Sequence, residues 1–196
     1  MLGCVPGEGG KAANEILMGA KTGDISIVYL LGADEIDASQ LNNAFVIYQG
    51  HHGDTGAHKA SIIFPSAAYT EQNGIFVNTE GRVQLAKRAA FPPGEAKEDW
   101  AIIRALSGEL DVVLPYDTQD DLRQLLHESN KAFLAIDTVE SVAWDEFGSS
   151  GAIDAAPFSS PISNFYMTDP ISRASETMAK CVDEIIGTTE ATGTDG

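Results

Sequence analysis

Three short apolar runs in close succession limit what this chain can fold into more than any other feature: Ile25–Leu31, Phe45–Gln49 and Ser61–Phe64. Each is rich in Ile, Val, Phe or Tyr, and none alternates strictly with polar residues, which is the texture of strands buried on both faces. Between the first two, Asp37-Ala-Ser-Gln40 is a capping-box-like start for a short helical crossover. Between the second and third lies a loop carrying Gly50, Gly53 and Gly56. The order reads β-α-β-α-β. Parallel strands need crossovers of about a dozen residues or more, and both connections sit near that limit. The expectation is therefore a mostly parallel sheet, a Rossmann-like α/β arrangement, with short or irregular crossover helices. One helix precedes it over Lys11–Lys21, where Ala13, Ile16, Leu17 and Ala20 recur at helical spacing and Gly23 supplies a left-handed stop.

Further along, the texture changes. Ile75–Ala86 alternates around Glu80-Gly81 and predicts an extended or hairpin-like element. Phe91-Pro-Pro-Gly94 breaks the chain, after which Trp100, Ile103 and Leu106 predict a helix over Lys97–Ser107 stopped by Gly108. A second helix is expected over Gln119–Glu128, capped by Thr118, favoured at its positive end by Asp120 and Asp121, and buried along Leu122, Leu125 and Leu126. Val139–Ser163 lacks periodicity and reads as a long connection. Asn164–Thr168 reads as a short strand, and Asp169-Pro170 opens a single helix to Gly187 with Ile171, Ala174, Met178, Cys181, Val182 and Ile185 on one buried face. The organisation expected is an α/β portion over 1–92, a helical and mixed portion over 93–187 packing on it, and a disordered tail over 188–196.

Charge and cysteine usage exclude several function classes. Twelve basic against 29 acidic residues give a formal charge of −17, so nucleic acid is not an expected partner. Cys4 and Cys181, the only cysteines, provide neither a disulfide framework nor CxxC spacing for zinc or iron–sulfur, and imply a reducing compartment. The longest apolar stretch, Ile25–Ala33, is far short of the ~20 residues of a membrane span. Any membrane association is expected to be indirect.

His51, His52, Asp54 and His58 are the residue types that ligate zinc or iron. No helical i, i+4 histidine pair exists among them, and adjacent histidines on an extended segment point to opposite sides. The reading adopted is a strand-to-helix loop whose polar groups hold its own turn or a neighbouring subunit. Glu71, Asn78, Glu80 and Arg82 form the densest polar group; Glu71 and Arg82 are expected to pin the extended element by a charge-assisted hydrogen bond, with Asn78 holding a turn. Cys181 reads as a small buried hydrophobe and Cys4 as inert. There is no GxSxG elbow, P-loop or HExxH. No residue is assigned a catalytic, cofactor-binding or metal-binding role.

Tyr48-Gln-Gly-His-His-Gly-Asp-Thr-Gly-Ala-His58, with Ala60-Ser-Ile-Ile-Phe-Pro65 and the run Ala68–Arg82, resembles the C-terminal part of the large iron–sulfur subunit of respiratory NADH-quinone oxidoreductase, complex I. Leu30–Asp34, Glu98–Leu106, Leu114–Thr118, Asn164–Ser175 and Thr177–Cys181 reinforce the resemblance. That region is in turn similar to the molybdopterin oxidoreductases, which implies a Rossmann-like three-layer α/β fold. The iron–sulfur clusters of such a large subunit lie in a cysteine-rich N-terminal portion, so none is expected in this fragment, and Met1 is expected not to be the natural start. The implied partners are other peripheral-arm subunits of complex I, on the cytoplasmic side of a bacterial inner membrane. In the molybdopterin family the loop after the first strand commonly reads Gly-x-Asn-Pro, whereas here it is Gly32-Ala33-Asp34-Glu35, whose carboxylates would repel a phosphate. The resulting expectation is a structural and assembly domain without an electron carrier. The alternative is a molybdopterin- or metal-binding oxidoreductase or hydrolase domain that uses the Gly/His loop 50–58.

Overall fold

The computed structural model of this chain describes residues 7–33, 35–139, 150–157, 162 and 164–187. Helix α1 (Ala13–Thr22) starts where the Glu15 carboxylate accepts the Ala12 amide at 2.8 Å. It ends where Gly23, at φ +89°, turns the chain so that Gly23 and Ile25 both donate to the Gly19 carbonyl. The chain then runs into β1 (Ile27–Leu31), a 3₁₀ turn (Ala38–Leu41), β2 (Phe45–Gly50), α2 (Thr55–Lys59) and β3 (Ile62–Pro65), forming a parallel sheet in the order β1-β2-β3. Both crossovers are as short as expected. Asp37 caps the first by accepting the Ser39 amide, and the Ser39 hydroxyl, the Gln40 amide group and that backbone bond together hold its carboxyl below the usual range. A two-stranded antiparallel hairpin follows, β4 (Gly74–Val77) with β5 (Val83–Ala86), and its turn is held by Asn78 Oδ1, which accepts the amides of Glu80 and Arg82 at 3.0 Å.

The α/β class and the parallel sheet are as expected, but burial on both strand faces is not. In the parallel register Val28 aligns with Val46, and Leu30 with Tyr48. These side chains face Ala20 and Leu41 in one core, closed by Ile16, Leu17, Ile25, Ile36 and Ala57. On the opposite face Ile27, Leu31, Phe45 and Ile62 are 62%, 52%, 45% and 44% exposed. The apolar runs lack alternation because both faces are apolar, yet only one is covered along its length by the elements described; on the other, Gln49 is buried while these four positions stay open.

Beyond the hairpin, α3 (Asp99–Glu109) and α4 (Gln119–Ser129) form near the expected places. Gly108 does not stop α3. It lies inside the helix, and the left-handed residue is Asp111 at φ +57°, where the chain reverses and Val112 donates to the Ser107 carbonyl. Thr118 caps α4 as expected, with Asp121 closing a reciprocal capping box. Leu122, Leu125 and Leu126 are only half-buried.

Asn164–Thr168 is a turn, not a strand: Asn164 Oδ1 accepts the Tyr166 amide and folds the segment back on itself. Nor is the last helix single. It breaks into α5 (Pro170–Arg173), α6 (Glu176–Cys181) and a π turn (Val182–Ile186) ended by Gly187 at φ +71°. Ser175 causes the break, since its hydroxyl accepts the Met178 amide and starts a new helix. Of the expected apolar face Val182 is buried, whereas Ile171 and Ile185 are 37% and 66% exposed. The connection expected over 139–163 falls largely, and the tail expected over 188–196 wholly, outside the described residues, as do Cys4 and Asp34.

Candidate functional site at the carboxyl ends of the parallel strands

In an open parallel α/β sheet, ligands bind outside the carboxyl ends of the strands, and the candidate residues of this chain collect there. β1 ends at Gly32, whose φ of +58° suits glycine and whose amide donates to the Gln49 carbonyl at 2.7 Å. After β2, Asp54 caps α2 by accepting the Thr55 amide at 2.7 Å and is almost wholly buried. Its other carboxylate oxygen accepts Nε of Arg173 from α5, 119 residues along the chain. Arg173 Nη1 also donates to the Met167 carbonyl at 3.2 Å and lies 3.8 Å from the Glu35 carboxylate. Asp169 in turn caps α5 by accepting the amides of Ile171 and Ser172; the Ser172 hydroxyl, then its amide, hold the Asp169 carboxyl below the usual carboxylate range.

The glycines of the loop have a packing role. A Cβ on Gly50 would come within 2.6 Å of three atoms of the Tyr48 ring and hydroxyl, and one on Gly56 within 2.9 Å of the same ring. The Tyr48 hydroxyl donates to the His52 carbonyl at 3.1 Å. The bare backbone therefore admits a tyrosine from beneath. On the other sheet face Gln49, fully buried, accepts from the Tyr29 hydroxyl and donates to the Asp99 carboxylate at 2.7 Å, which docks the start of α3. Burial, and then the charge of Asp99, push the Tyr29 phenol up.

The histidines do not point apart. Their rings meet edge to face with centroids 4.9 Å apart, and His51 Nδ1 lies 2.7 Å from His52 Nδ1. The alternation of an extended strand fails here because β2 ends at Gly50 and the chain bends at both histidines. They border a cleft of about 400 Å³ that Ser66, Glu71 and Glu95 also line. His58 stays on the exposed side of α2, and among the described residues no three His, Cys, Asp or Glu side chains converge as a metal-ligating set. The expected Glu71–Arg82 clasp does not form. Glu71 accepts the Ala68 amide at 3.0 Å, closing its own turn, while Arg82 pairs with Glu80 at 3.1 Å and donates to the Asp137 carbonyl at 2.7 Å.

Sequence reasoning does not single out Arg173, Gln49 or Tyr48. The one signal it offers is that a buried capping Asp needs a cation, and nothing in spacing says which.

A family model for molybdopterin oxidoreductase matches residues 2–109 of this chain, which takes in the whole parallel sheet and the hairpin. The chain belongs to the molybdopterin oxidoreductase family. Alongside this family match, a second model, for the C-terminal region of the G subunit of NADH-ubiquinone oxidoreductase, matches residues 138–181. The G subunit of NADH-quinone oxidoreductase from Rickettsia felis is 45% identical over 163 residues, 83% of this chain and 24% of that protein. The mitochondrial NADH-ubiquinone oxidoreductase 78 kDa subunit of Candida albicans is 48% identical over 166 residues, 79% of this chain and 23% of that protein. The chain thus spans about a quarter of the length of these relatives. Among the described residues no helix is long and apolar enough to cross a membrane.

The molybdopterin oxidoreductase family implies a pterin cofactor, and the residues at the strand ends do not fit one. A phosphate-bearing cofactor needs unengaged amides and cations. Here Glu35 and Asp54 place carboxylates at that end of the sheet, Arg173 is held between them, and Tyr48 fills the space the loop glycines leave.

Proposed function

We propose that this chain is a structural and assembly module at the C-terminal end of a complex I large iron–sulfur subunit, holding no electron carrier of its own and packing against other parts of the peripheral arm on the cytoplasmic side of the membrane. The half-covered parallel sheet carries this reading. A parallel sheet is stable when both faces are covered. In this chain one face is open at Ile27, Leu31, Phe45 and Ile62, with Gln49 on it buried at the start of α3, and β1 has one strand partner, β2, among the described strands. Each such side chain is worth about 1.5–3 kcal/mol when fully removed from water, so the open face is a strong apolar docking surface. The longer relatives supply an occupant: a polypeptide about three and a half times this length has ample chain to finish the sheet. The strand ends support the second half of the reading, since Asp54, Arg173 and the Met167 carbonyl already engage one another there.

Leu31→Glu tests the docking. The isolated variant is expected to melt close to the parent, because Leu31 is half exposed there, whereas a full-length protein carrying it is expected to lose soluble assembly with its partners. Normal assembly of the variant would remove the basis of the proposal. For the carrier, metal and pterin analysis of the purified chain is expected to find no molybdenum, iron or pterin in stoichiometric amount.

A further inference from the structure

The two edges of the parallel sheet differ, and the difference bears on what the open sheet docks. We propose that the free edge of β1 takes a parallel strand from the same polypeptide, upstream of α1. This deepens the docking reading above and rests on it.

The backbone defines the edge. The Ser26 carbonyl accepts the Phe45 amide, and the Gly32 amide donates to the Gln49 carbonyl, both at 2.7 Å. In a parallel pair every second residue turns its amide and carbonyl toward one neighbour, so Val28 and Leu30 address β2. The amides and carbonyls of Ile27, Tyr29 and Leu31 address the far side, where none of the described strands pairs with them. Such a row is a template for another strand. The edge of β3 differs, because at its carboxyl end Lys97 bridges Ser66 in the parallel sense. The Lys97 amide donates to the Pro65 carbonyl at 3.2 Å, and its carbonyl accepts the Ala67 amide at 2.8 Å.

Handedness indicates the source. Crossovers between parallel strands of one sheet are almost always right-handed. When the crossover segments lie on one face, each right-handed step carries the chain the same way across the sheet. The 3₁₀ turn and α2 pack, through Leu41 and Ala57, on the face of Val28, Leu30, Val46 and Tyr48, and the strands there follow in the order β1, β2, β3. Helix α1 packs on that same face through Ile16, Leu17 and Ala20 and leads directly into β1. A strand feeding α1 by a right-handed crossover therefore stands on the side of β1 away from β2. The relatives, of which this chain matches 24% and 23%, have residues to supply it.

Photo-reactive p-benzoylphenylalanine placed at Ile27, or at Leu31, in the full-length protein tests the proposal. Both side chains lie on the open face of the edge strand, and a neighbouring strand runs about 4.8 Å away. Each position is expected to cross-link to a segment of its own polypeptide upstream of α1. Mass spectrometry should place the Ile27 link earlier in the chain than the Leu31 link, the order of a parallel strand. The reverse order, or links only to residues downstream of α6, would overturn the proposal. Links only to another subunit would overturn it while leaving the docking reading standing, and no link from either position would remove both. Proline substitution in this chain alone checks the edge itself. Ile27→Pro removes an amide that faces outward and Val28→Pro one that faces β2, so the first should lower the melting temperature far less than the second. Equal losses would overturn the assignment of the free edge.

Discussion

The sheet portion and the C-terminal helices of this protein are held by different forces. Between α1 and β3, Ala20, Val28, Leu30, Leu41, Val46 and Tyr48 are buried together, and elements close in sequence supply all of them. Beyond residue 98, α3 buries only Ser107 outright, and α4, α5 and α6 bury no residue fully. Those helices are attached by polar clips instead: Gln49 to Asp99, Arg104 to the Tyr116 carbonyl and Asp117, Gln119 to the Asn73 carbonyl, and Arg173 to Asp54. Apolar burial gives the first portion its own cooperativity. Directional contacts give the second its placement, at a stability each clip sets locally.

Tyr48→Ala should break the first portion most severely. It removes the largest fully buried side chain among the described residues and leaves a cavity under Gly50 and Gly56, for an expected loss of about 3–5 kcal/mol, read as a lower denaturation midpoint of the whole sheet. Arg173→Ala should act on the other portion by about 3 kcal/mol, because it strands the buried Asp54 carboxylate. Proteolysis or amide exchange should then show α5 and α6 released while the sheet stays protected; simultaneous loss of both would mean that the two portions are one cooperative unit. Leu125→Ala in α4, at a half-buried position, should cost only about 1 kcal/mol in thermal melting. A loss as large as that of Tyr48→Ala would show a hidden second core.

Acid should separate the portions least. The Asp169 carboxyl is held low chiefly by the Ser172 hydroxyl, and that of Asp121 chiefly by the Thr118 hydroxyl. A carboxyl whose native pKa is depressed adds stability above its unfolded value, about 3.9, and loses it as pH falls through the native value. The α5 cap should therefore weaken only below about pH 4, and Asp169→Asn should flatten that dependence in an acid titration followed by circular dichroism.

What could be read from the sequence follows the same division. The extent of α1, its Gly23 stop, both short crossovers, the Asn78 turn and the Thr118 cap were legible because each depends on residues within a few positions of one another. Arg173 was not, since its partner lies 119 residues away and no spacing encodes the pair. The Glu71–Arg82 clasp failed because each group found a nearer partner in its own turn. The one-sided burial of the sheet was hidden for a different reason: an apolar face reads the same whether this chain covers it or another polypeptide does. At the strand ends, the acidic departure of Gly32-Ala33-Asp34-Glu35 was visible, while the tyrosine beneath the glycines and the meeting of His51 with His52 needed coordinates.

Amide exchange along β1 tests the docking account most directly. The outward-facing amides of Ile27–Leu31 should exchange fast in the isolated chain and become strongly protected when the same segment sits in the full-length protein. Equal protection in the two settings would contradict it.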